Sequence, residues 1–527
     1  MAGRDGAPRR ADGAKATANR RLQPCRGSAT KVAFAREDLH HGPFRALSHG
    51  TRRARPANAP QPLRRAAPSP IHPPLKGFSM AIPPRRASRQ APSASSAADM
   101  PRRSVLQGGL GAAAWAATAG WSAGHAATAS LPLAGMNLSG LGSNSFVENA
   151  QIGTHYRDIS DKHIAAAGDC PLFRLPTTAQ RFSTGQGLPL NATYVKEVSD
   201  VLDRLAAQGK RAILELHDYM RLPMRVAALQ GYRIQGGQLV GPDGRAVPDP
   251  AAPSVWNGTY AKGNFEYVAY FDGRDQLLKL YEYRVIGTQG CKLYTEDGLP
   301  DLWLRLVQRF RDHPAIFGWG LMNEPYTGKE TNANGSALDM RALWQRTATR
   351  TAARIFDYDR KHFVFICGNE FATAREWVKY SNDLATIPDP YGLIVYEAHN
   401  YLDSNGQGGG AWKNPQETVA PDTGEKMVAN FLQWLQDNGK RGFLGEHGYP
   451  ENNASAEVAT RRMLQLLQRS NVPSTQWCFG PGWPDGDPLG MSRDTGTDTI
   501  AVKGNIAAVQ PFFKERLATY LPPLRSN

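Results

Sequence analysis

The sequence predicts an α/β protein whose ordered part is a single (β/α)8 TIM barrel with a β-rich insertion after strand 3. From residue 131 onward, short β-rich runs alternate with amphipathic stretches of helical period, the pattern of a parallel sheet built from βα units. Eight such units occur without repeating one another in sequence, which favours a closed barrel over an open doubly wound sheet. The length of 527 residues is compatible with this, because one barrel commonly takes about 250 residues or more.

The predicted strands are short apolar runs bounded by turn residues. In chain order they are Gly135–Leu141, Cys170–Pro176, Arg211–His217, Ile316–Pro325, His362–Asn369, Gly392–Tyr401, Gly442–Gly448 and Ser474–Phe479. The predicted helices between them include Asn191–Gln208, Leu299–Asp312, Leu338–Phe356, Lys426–Asn438 and Ser455–Arg469. Ser455 is the expected N-cap of the last helix.

One interval departs from this rhythm. About eighty residues separate His217 from the helix near Leu299, which is too long for a loop without structure of its own. Turn signals at Gly236-Gly237 and Pro242-Asp243-Gly244 predict an insertion of β-hairpins over about 220–295, on the strand-end face. Its aromatic residues would either line a wall of a substrate cleft or form the core of a packed lid; they include Trp256, Tyr260, Phe265, Tyr267, Tyr270 and Phe271.

The positive charge of the chain is concentrated at its beginning. Residues 1–103 carry 21 Lys and Arg against 5 Asp and Glu, whereas the remaining residues carry 41 against 42. The net charge of +15 therefore does not indicate nucleic-acid binding by the later part. Residues 1–99 are expected to be a disordered basic extension, either an arm that binds anionic polymer or upstream sequence included by an early start codon.

Residues 100–129 have the features of a twin-arginine signal peptide. Arg102-Arg103 precede an uncharged stretch rich in Ala and Gly, and Ala127-Thr128-Ala129 offers a cleavage site. We expect a secreted or periplasmic protein, with residues 130–527 forming one catalytic domain. The alternative is a transmembrane anchor, which the weak hydrophobicity of Ala and Gly disfavours.

Four cysteines lie beyond the expected cleavage site, namely Cys170, Cys291, Cys367 and Cys478. They allow three disulfide pairings that sequence does not separate, and no C-x-x-C spacing indicates zinc. Because Cys367 and Cys478 lie in apolar strand-like runs, buried thiols are expected.

Polar side chains at the carboxyl ends of the strands are the candidate functional residues, since a barrel of this kind carries its chemistry there. They are Arg174, His217, Asn323, Glu324, His399, Tyr401, Glu446 and Trp477. Glu324 and Glu446 end the fourth and seventh strands, on opposite sides of the barrel mouth. Two facing carboxylates are what the hydrolysis of a glycosidic bond requires.

This ordered set of strand ends resembles glycoside hydrolase family 5, the cellulase-type family of retaining barrels, over about residues 131–521. The motifs are Arg174-Leu-Pro, Leu-His217, Asn323-Glu324-Pro325, His399-Asn-Tyr401, Gly-Glu446-His-Gly and Trp477. The resemblance implies that Glu446 is the nucleophile and Glu324 the acid and base.

The resemblance also implies supporting roles for the other strand-end residues. Arg174 and Tyr401 would support the ionised nucleophile, and Asn323 would bind the sugar 2-hydroxyl. His217 and His399 would line the same subsite. Trp477 would stack on a sugar ring, with Trp483 as a possible extension of this platform.

The expected reaction is endo-acting cleavage of β-1,4-glucan by double displacement, with a polysaccharide or oligosaccharide as substrate, no cofactor and no metal. A β-mannanase or another β-glycan hydrolase of the same fold is the main alternative. A non-catalytic sugar-binding barrel is more remote, and a metal-dependent hydrolase is disfavoured because the first strand lacks a His-x-His pair.

We expect a monomer, no nucleic-acid partner and no stable membrane association after signal cleavage. Glu215, two residues before His217, is expected to point into the barrel as a hydrogen-bonded interior group.

Overall fold

The computed structural model describes residues 131–517 apart from 144, 146–149, 230–232, 236–237, 241–243, 245–257, 263–264, 273–276, 329, 333, 404–409, 411, 484–485 and 497–498. The predicted basic extension and signal peptide therefore lie outside the described residues. Within the described residues, no helix combines the length and apolar character needed to cross a membrane.

Eight parallel strands form a closed barrel, as the sequence predicts. They are β1 (Ala134–Leu138), β2 (Leu172–Thr177), β3 (Arg211–Leu216), β4 (Ile316–Gly320), β5 (Phe363–Cys367), β6 (Ile394–His399), β7 (Arg441–Glu446) and β8 (Ser474–Phe479). Each strand pairs with the next in sequence, and β8 pairs with β1 to close the sheet. Nearly every strand residue is buried, because side chains fill the interior and helices cover the outside.

Helices connect the strands along the outside of the barrel. They are α1 (Asp161–Ala166), α2 (Ala192–Ala207), α3 (Gly298–Phe310), α4 (Met340–Phe356), α5 (Trp377–Ser381), α6 (Thr423–Asn438) and α7 (Ala454–Arg469). Short helices at Ala179–Phe182 and Asn369–Ala372 follow β2 and β5, and a 3-10 turn at Asn382–Thr386 extends α5. After β8 the chain forms a small hairpin, Ser492–Asp494 with Ile500–Val502, and 3-10 turns at Gly504–Ile506 and Gln510–Phe512.

Helix ends follow local capping chemistry. Asn191 caps α2, because its side chain accepts hydrogen bonds from the backbone N–H groups of Thr193 and Tyr194. The expectation that Ser455 caps α7 is wrong. Asn453 is the cap, since its side chain accepts from the N–H of Ala456, and α7 begins one residue before Ser455.

The insertion after β3 is β-rich, as predicted. Arg221–Leu229, Gly258–Lys262, Phe265–Asp272 and Leu277–Val285 form an antiparallel sheet in which the last strand pairs with the first. Arg233–Gln235 and Gln238–Val240 form a separate two-stranded ladder. The aromatic side chains from Trp256 to Phe271 lie outside those that the structure describes, so both interpretations of them stay predictions.

The chain is joined near its two described ends by a short antiparallel pair, Leu131–Pro132 with Arg516–Leu517. The four described cysteines are all free and buried. This agrees with the expectation of buried thiols for Cys367 and Cys478.

Candidate active site

The predicted site residues converge at the carboxyl end of the barrel. Alternation along a strand sends every second side chain to the interior, and this brings Arg174 of β2 to the centre. Arg174 is 0% exposed. The backbone N–H of Asn323 donates to the carbonyl of Leu216, so the segment after β4 stays paired with β3 and carries Asn323 and Glu324 to the same place.

Arg174 contacts three carboxylates from three different strands. Its Nη1 lies 3.0 Å from Oε1 of Glu446, its Nε 2.8 Å from Oε1 of Glu397, and its Nη2 3.5 Å from Oε1 of Glu215. It also donates to the side-chain carbonyls of Asn137 and Asn323, at 2.9 and 2.7 Å. Burial opposes the charged guanidinium, but the three glutamates outweigh it and raise the pKa of Arg174. A permanent cation is thus fixed under the site.

Glu446 is held in its ionised form. It is only 4% exposed, and burial by itself would favour the protonated acid. The positive charges of His399 and Arg174 and a 2.7 Å hydrogen bond from the Tyr401 hydroxyl to Oε2 oppose this, and together with His217 they lower the pKa of Glu446 to about 2. Both carboxylate oxygens accept hydrogen bonds whose directions fix the plane of the group.

Glu324 is held by a histidine. Its Oε1 lies 2.6 Å from Nδ1 of His399, and its backbone N–H donates to Sγ of Cys367. The residue is 2% exposed and has a φ of 41°, in the left-handed region that non-glycine residues rarely adopt. Such a backbone conformation persists only where the surrounding structure stabilises it. In Glu324 it accompanies the side-chain contact with His399.

The two proposed catalytic carboxylates are close together. Glu324, His399 and Glu446 each offer one side-chain donor atom, and these three atoms lie within 4.8 Å of one another. His399 stands between them, with its Nδ1 3.8 Å from Oε2 of Glu446. The gap matches the separation of about 5 Å that double displacement requires and is too small for the intervening water of an inverting enzyme.

A chain of side-chain contacts leads from Asn323 to Glu215 and Trp477 through His217. Its amide nitrogen lies 3.3 Å from Nε2 of His217, whose Nδ1 lies 3.2 Å from Oε2 of Glu215. The imidazole of His217 stacks on the indole of Trp477, with centroids 5.3 Å apart and planes at 17°. Trp477 is 6% exposed, and Trp483 packs edge-on against it at 5.1 Å. All eight predicted site residues are thus brought together, and Trp483 joins them through Trp477.

Three further residues of this network were not among the predicted site residues. Asn137 of β1 was not singled out, Glu397 of β6 was a strand-end carboxylate without an assigned role, and Glu215 was expected to be an interior group, which its contacts agree with. A signal for Glu397 was available. Glu215-Leu-His217 and Glu397-Ala-His399 are the same Glu-x-His pattern on two strands, and alternation places each Glu beneath its His.

Two glycines make room for the buried carboxylates. A Cβ on Gly445 would lie 2.0 Å from Oε1 of Glu397, and one on Gly320 would lie 2.8 Å from Cβ of Glu215. Neither distance is compatible with a side chain. The strands adjacent to the charged network therefore need glycine at these positions.

His447 follows Glu446 directly along the chain, but its ring makes no hydrogen bond to the network within the described part of the structure. It is buried, and burial lowers its pKa to about 3. Neither ring nitrogen has a hydrogen-bond partner among the described residues. Nothing in the structure gives it a part in the chemistry.

Two groups of side chains have donor atoms close enough for a metal ion. They are Glu324 with His399 and Glu446, and Cys367 with Glu397 and His399. In each group one carboxylate already lies within 3.0 Å of the Arg174 guanidinium, which neutralises it and would repel a metal cation. We therefore interpret both groups as hydrogen-bonded acids and assign no metal site.

A closed (β/α)8 barrel with two buried carboxylates whose oxygens lie within 4.8 Å of each other at its mouth fits the architecture of a retaining glycoside hydrolase. The chain belongs to glycosyl hydrolase family 5, the cellulase family, whose model matches residues 126–482.

Curated proteins similar to the chain include fungal endo-β-1,4-glucanases. The chain is 32% identical over 154 residues to endo-β-1,4-glucanase B of Emericella nidulans, covering 28% of this chain and 44% of the relative. It is 26% identical over 243 residues to probable endo-β-1,4-glucanase B of Neosartorya fischeri, covering 44% of this chain and 67% of the relative. The matched part thus spans under half of the first relative and about two thirds of the second.

The fold is also that of solved structures. Pseudomonas stutzeri endoglucanase Cel5A in complex with cellobiose superposes with a TM-score of 0.56 at 23% identity, covering 76% of this chain and 100% of that one. At this identity the likeness establishes the fold, and the assignment of activity depends on the site itself.

The low pKa of Glu446 predicts a pH-dependent contribution to stability. Because its pKa in the folded protein, about 2, is below the usual 4.5, the carboxylate stabilises the fold above pH 4.5, and this stabilisation is lost as pH falls towards 2. The difference in unfolding free energy between the wild type and Glu446→Gln should therefore change in favour of the variant as pH is lowered from 5 to 2. Denaturant titrations at several pH values measure it, and a difference that does not vary with pH would contradict this account of Glu446.

Proposed function

We propose that the protein is a retaining endo-β-1,4-glucanase in which Glu446 is the nucleophile and Glu324 the general acid and base. The observation that carries the proposal is the separation of at most 4.8 Å between carboxylate oxygens of two buried glutamates whose partners differ in charge. One glutamate is surrounded by cations and a phenol. The other is hydrogen-bonded to a histidine that can accept or donate a proton.

In the first half-reaction a Glu446 oxygen attacks the anomeric carbon and forms an ester bond to the sugar. The bond from that carbon to the glycosidic oxygen breaks, and Glu324 gives its proton to the departing oxygen. Arg174 and Tyr401 support this step by keeping Glu446 ionised and aimed. As positive charge develops on the sugar ring, the nearby carboxylate stabilises it.

In the second half-reaction water replaces the leaving group. Glu324, now a carboxylate, takes a proton from the water as its oxygen bonds to the anomeric carbon and the ester to Glu446 breaks. The side-chain amide of Asn323 is held in place by Arg174 and His217. In this orientation it would form a hydrogen bond with the sugar 2-hydroxyl. A hydrogen bond at that hydroxyl strengthens in the transition state, so loss of Asn323 should affect turnover more than binding.

The names of the relatives favour β-1,4-glucan as the substrate class. Both curated relatives are endo-β-1,4-glucanases by name, and one solved structure of the same fold contains cellobiose. Glucan and mannan differ at C2, where Asn323 would act. The flanking walls include the insertion after β3, so the choice of glycan depends on groups beyond the eight strand-end residues.

A substrate panel tests the activity. Purified wild type is assayed by reducing-end release on carboxymethyl-cellulose, mixed-linkage β-glucan, mannan and xyloglucan, with Glu446→Gln, Glu324→Gln and the control Glu370→Gln. The wild type should act best on the β-1,4-glucans. Each catalytic variant should lose about a hundredfold or more, in line with the usual contribution of a catalytic acid, base or nucleophile.

Glu370 is a matched control because it is also a carboxylate just beyond a strand end. Its Oε1 accepts hydrogen bonds from the hydroxyl and the backbone N–H of Thr327, and the side-chain oxygen of Gln can still accept them. The control should keep wild-type activity. Wild-type activity in Glu446→Gln would reject Glu446 as the nucleophile, and preference for mannan would overturn the glucan assignment. A wild type that cleaves none of the four glycans would indicate a barrel that binds sugar without cleaving it.

We further infer that residues 100–129 direct export by the twin-arginine route and are removed, leaving residues 130–527 as the catalytic domain. The support is the sequence itself, Arg102-Arg103 followed by an uncharged stretch and Ala127-Thr128-Ala129. In a bacterial host with this export system, the active protein should be found outside the cytoplasm with its N-terminus near Ser130. Replacing the two arginines by lysines should retain it in the cytoplasm. Export that does not depend on the arginines, or recovery in the membrane fraction, would contradict the inference.

A further inference from the structure

Glu397 is a buried acid to which the mechanism above gives no task. It lies two residues before His399 on β6, so both side chains face the barrel interior, and it is 1% exposed. Its Oε1 forms an ion pair with Nε of Arg174, at 2.8 Å, and lies 3.1 Å from Nε2 of His399. Burial opposes its charged form, but Arg174 and His399 outweigh this and lower its pKa. Glu397 is therefore a carboxylate at working pH.

His399 is enclosed by titratable groups from every strand around it. Nδ1 faces Glu324 from the β4 end at 2.6 Å and Glu446 from β7 at 3.8 Å. Nε2 faces Glu397 on its own strand, and Cys367 of β5 lies 4.0 Å away. Arg174 of β2 is reached through Glu397, and the Tyr401 hydroxyl through Glu446.

These contacts restrict where protons can be. A neutral imidazole has one N–H, and the anionic Glu397 attracts it to Nε2. Nδ1 then presents its lone pair to Glu324, and the 2.6 Å gap between them has room for a single shared proton. If the proton moves to His399, the resulting imidazolium donates to a carboxylate at each nitrogen, which Glu397 also favours.

We propose that Glu397 is a positioning residue that fixes the tautomer of His399 and so sets the affinity of the His399–Glu324 pair for the proton used in catalysis. The inference rests on the proposed function of Glu324. It adds a third member to the acid machinery, Glu397–His399–Glu324, supported from below by Arg174.

The His399–Glu324 pair gives up one proton and regains one in each catalytic cycle. In the resting state this shared proton lies between Nδ1 and Oε1 of Glu324, and His399 carries the positive charge that lowers the pKa of Glu446 when this proton is on Nδ1. Nε2 keeps its own hydrogen, which faces Glu397. Glu324 passes the shared proton to the leaving oxygen, after which a carboxylate faces the lone pair of Nδ1. That repulsion favours removal of a proton from water in the second half-reaction, and the pair then returns to its first state.

Glu215 is a natural matched control for Glu397. It belongs to the same Glu-x-His pattern, contacts the same arginine and lies beneath His217. The far nitrogen of His217, however, faces the amide of Asn323 and not an acid. Replacing Glu215 by Gln removes the same charge from Arg174 without touching the pair that holds the catalytic proton.

The test compares Glu397→Gln with Glu215→Gln on two substrates. Cellopentaose has a poor leaving group that needs protonation, whereas 2,4-dinitrophenyl β-cellobioside has a good one that does not. Glu397→Gln should lose about tenfold or more in kcat/KM on cellopentaose and much less on the dinitrophenyl substrate, because only the first depends on the acid. Glu215→Gln should lose by similar factors on both.

The pH profile gives a second readout. Without the negative charge of Glu397 the shared proton is held less strongly, so the basic limb of kcat/KM on cellopentaose should move to lower pH by about one unit. The basic limb of Glu215→Gln should stay near that of the wild type. Equal losses on both substrates with no movement of the limb would show that Glu397 acts only as packing for Arg174, and would overturn the proposal.

A measurement on the wild type tests the proposal without depending on whether the variants fold. With 15N-labelled histidine, the His399 ring should show a protonated Nε2 and an Nδ1 of acceptor or shared-proton character at neutral pH. A proton fully on Nδ1 with a bare Nε2 would overturn the proposal. Failure of the wild type to cleave either substrate would instead reject the proposed function, which keeps the two failures distinct.

Discussion

The buried guanidinium of Arg174 is the interaction on which the rest of the site depends. Three carboxylates from β3, β6 and β7 converge within 3.5 Å of it, and all of these side chains are buried. Charges buried in this way are costly unless they are paired and hydrogen-bonded. One permanent cation forms ion pairs with the three acids and donates hydrogen bonds to Glu446 and to two asparagine carbonyls, and so allows a dense set of charges inside the barrel.

This arrangement separates the environments of two chemically identical residues. The charges of His399 and Arg174 and the phenol of Tyr401 favour the charged form of Glu446 despite its burial. Glu324 is hydrogen-bonded to His399, which is linked to Arg174 through Glu397. The proposed assignment of Glu446 as nucleophile and Glu324 as acid rests on these different surroundings, in keeping with the rule that paired carboxylates acquire different tasks when their environments differ.

The sequence was sufficient to predict the closed barrel and which side chains lie at the carboxyl ends of its strands. Alternation and strand order determine which side chains reach the mouth, and both can be read from apolar periodicity. Asn453 was missed as a cap because Ser455 has similar propensity and only coordinates distinguish them. Glu397 was left without a task because its contact with Arg174 spans more than two hundred residues of chain. The contribution of the insertion depends on side-chain contacts that periodicity does not encode.

The central claim is that Glu446 forms a covalent bond to sugar while Glu324 assists. The most direct measurement is to treat the enzyme with 2,4-dinitrophenyl 2-deoxy-2-fluoro-β-cellobioside, which slows breakdown of a glycosyl ester, and to locate the label by peptide mass spectrometry. The account predicts one sugar per chain on the peptide containing Glu446, and none in Glu446→Gln. A label on Glu324, or turnover of the natural substrate with no covalent intermediate trapped, would contradict it.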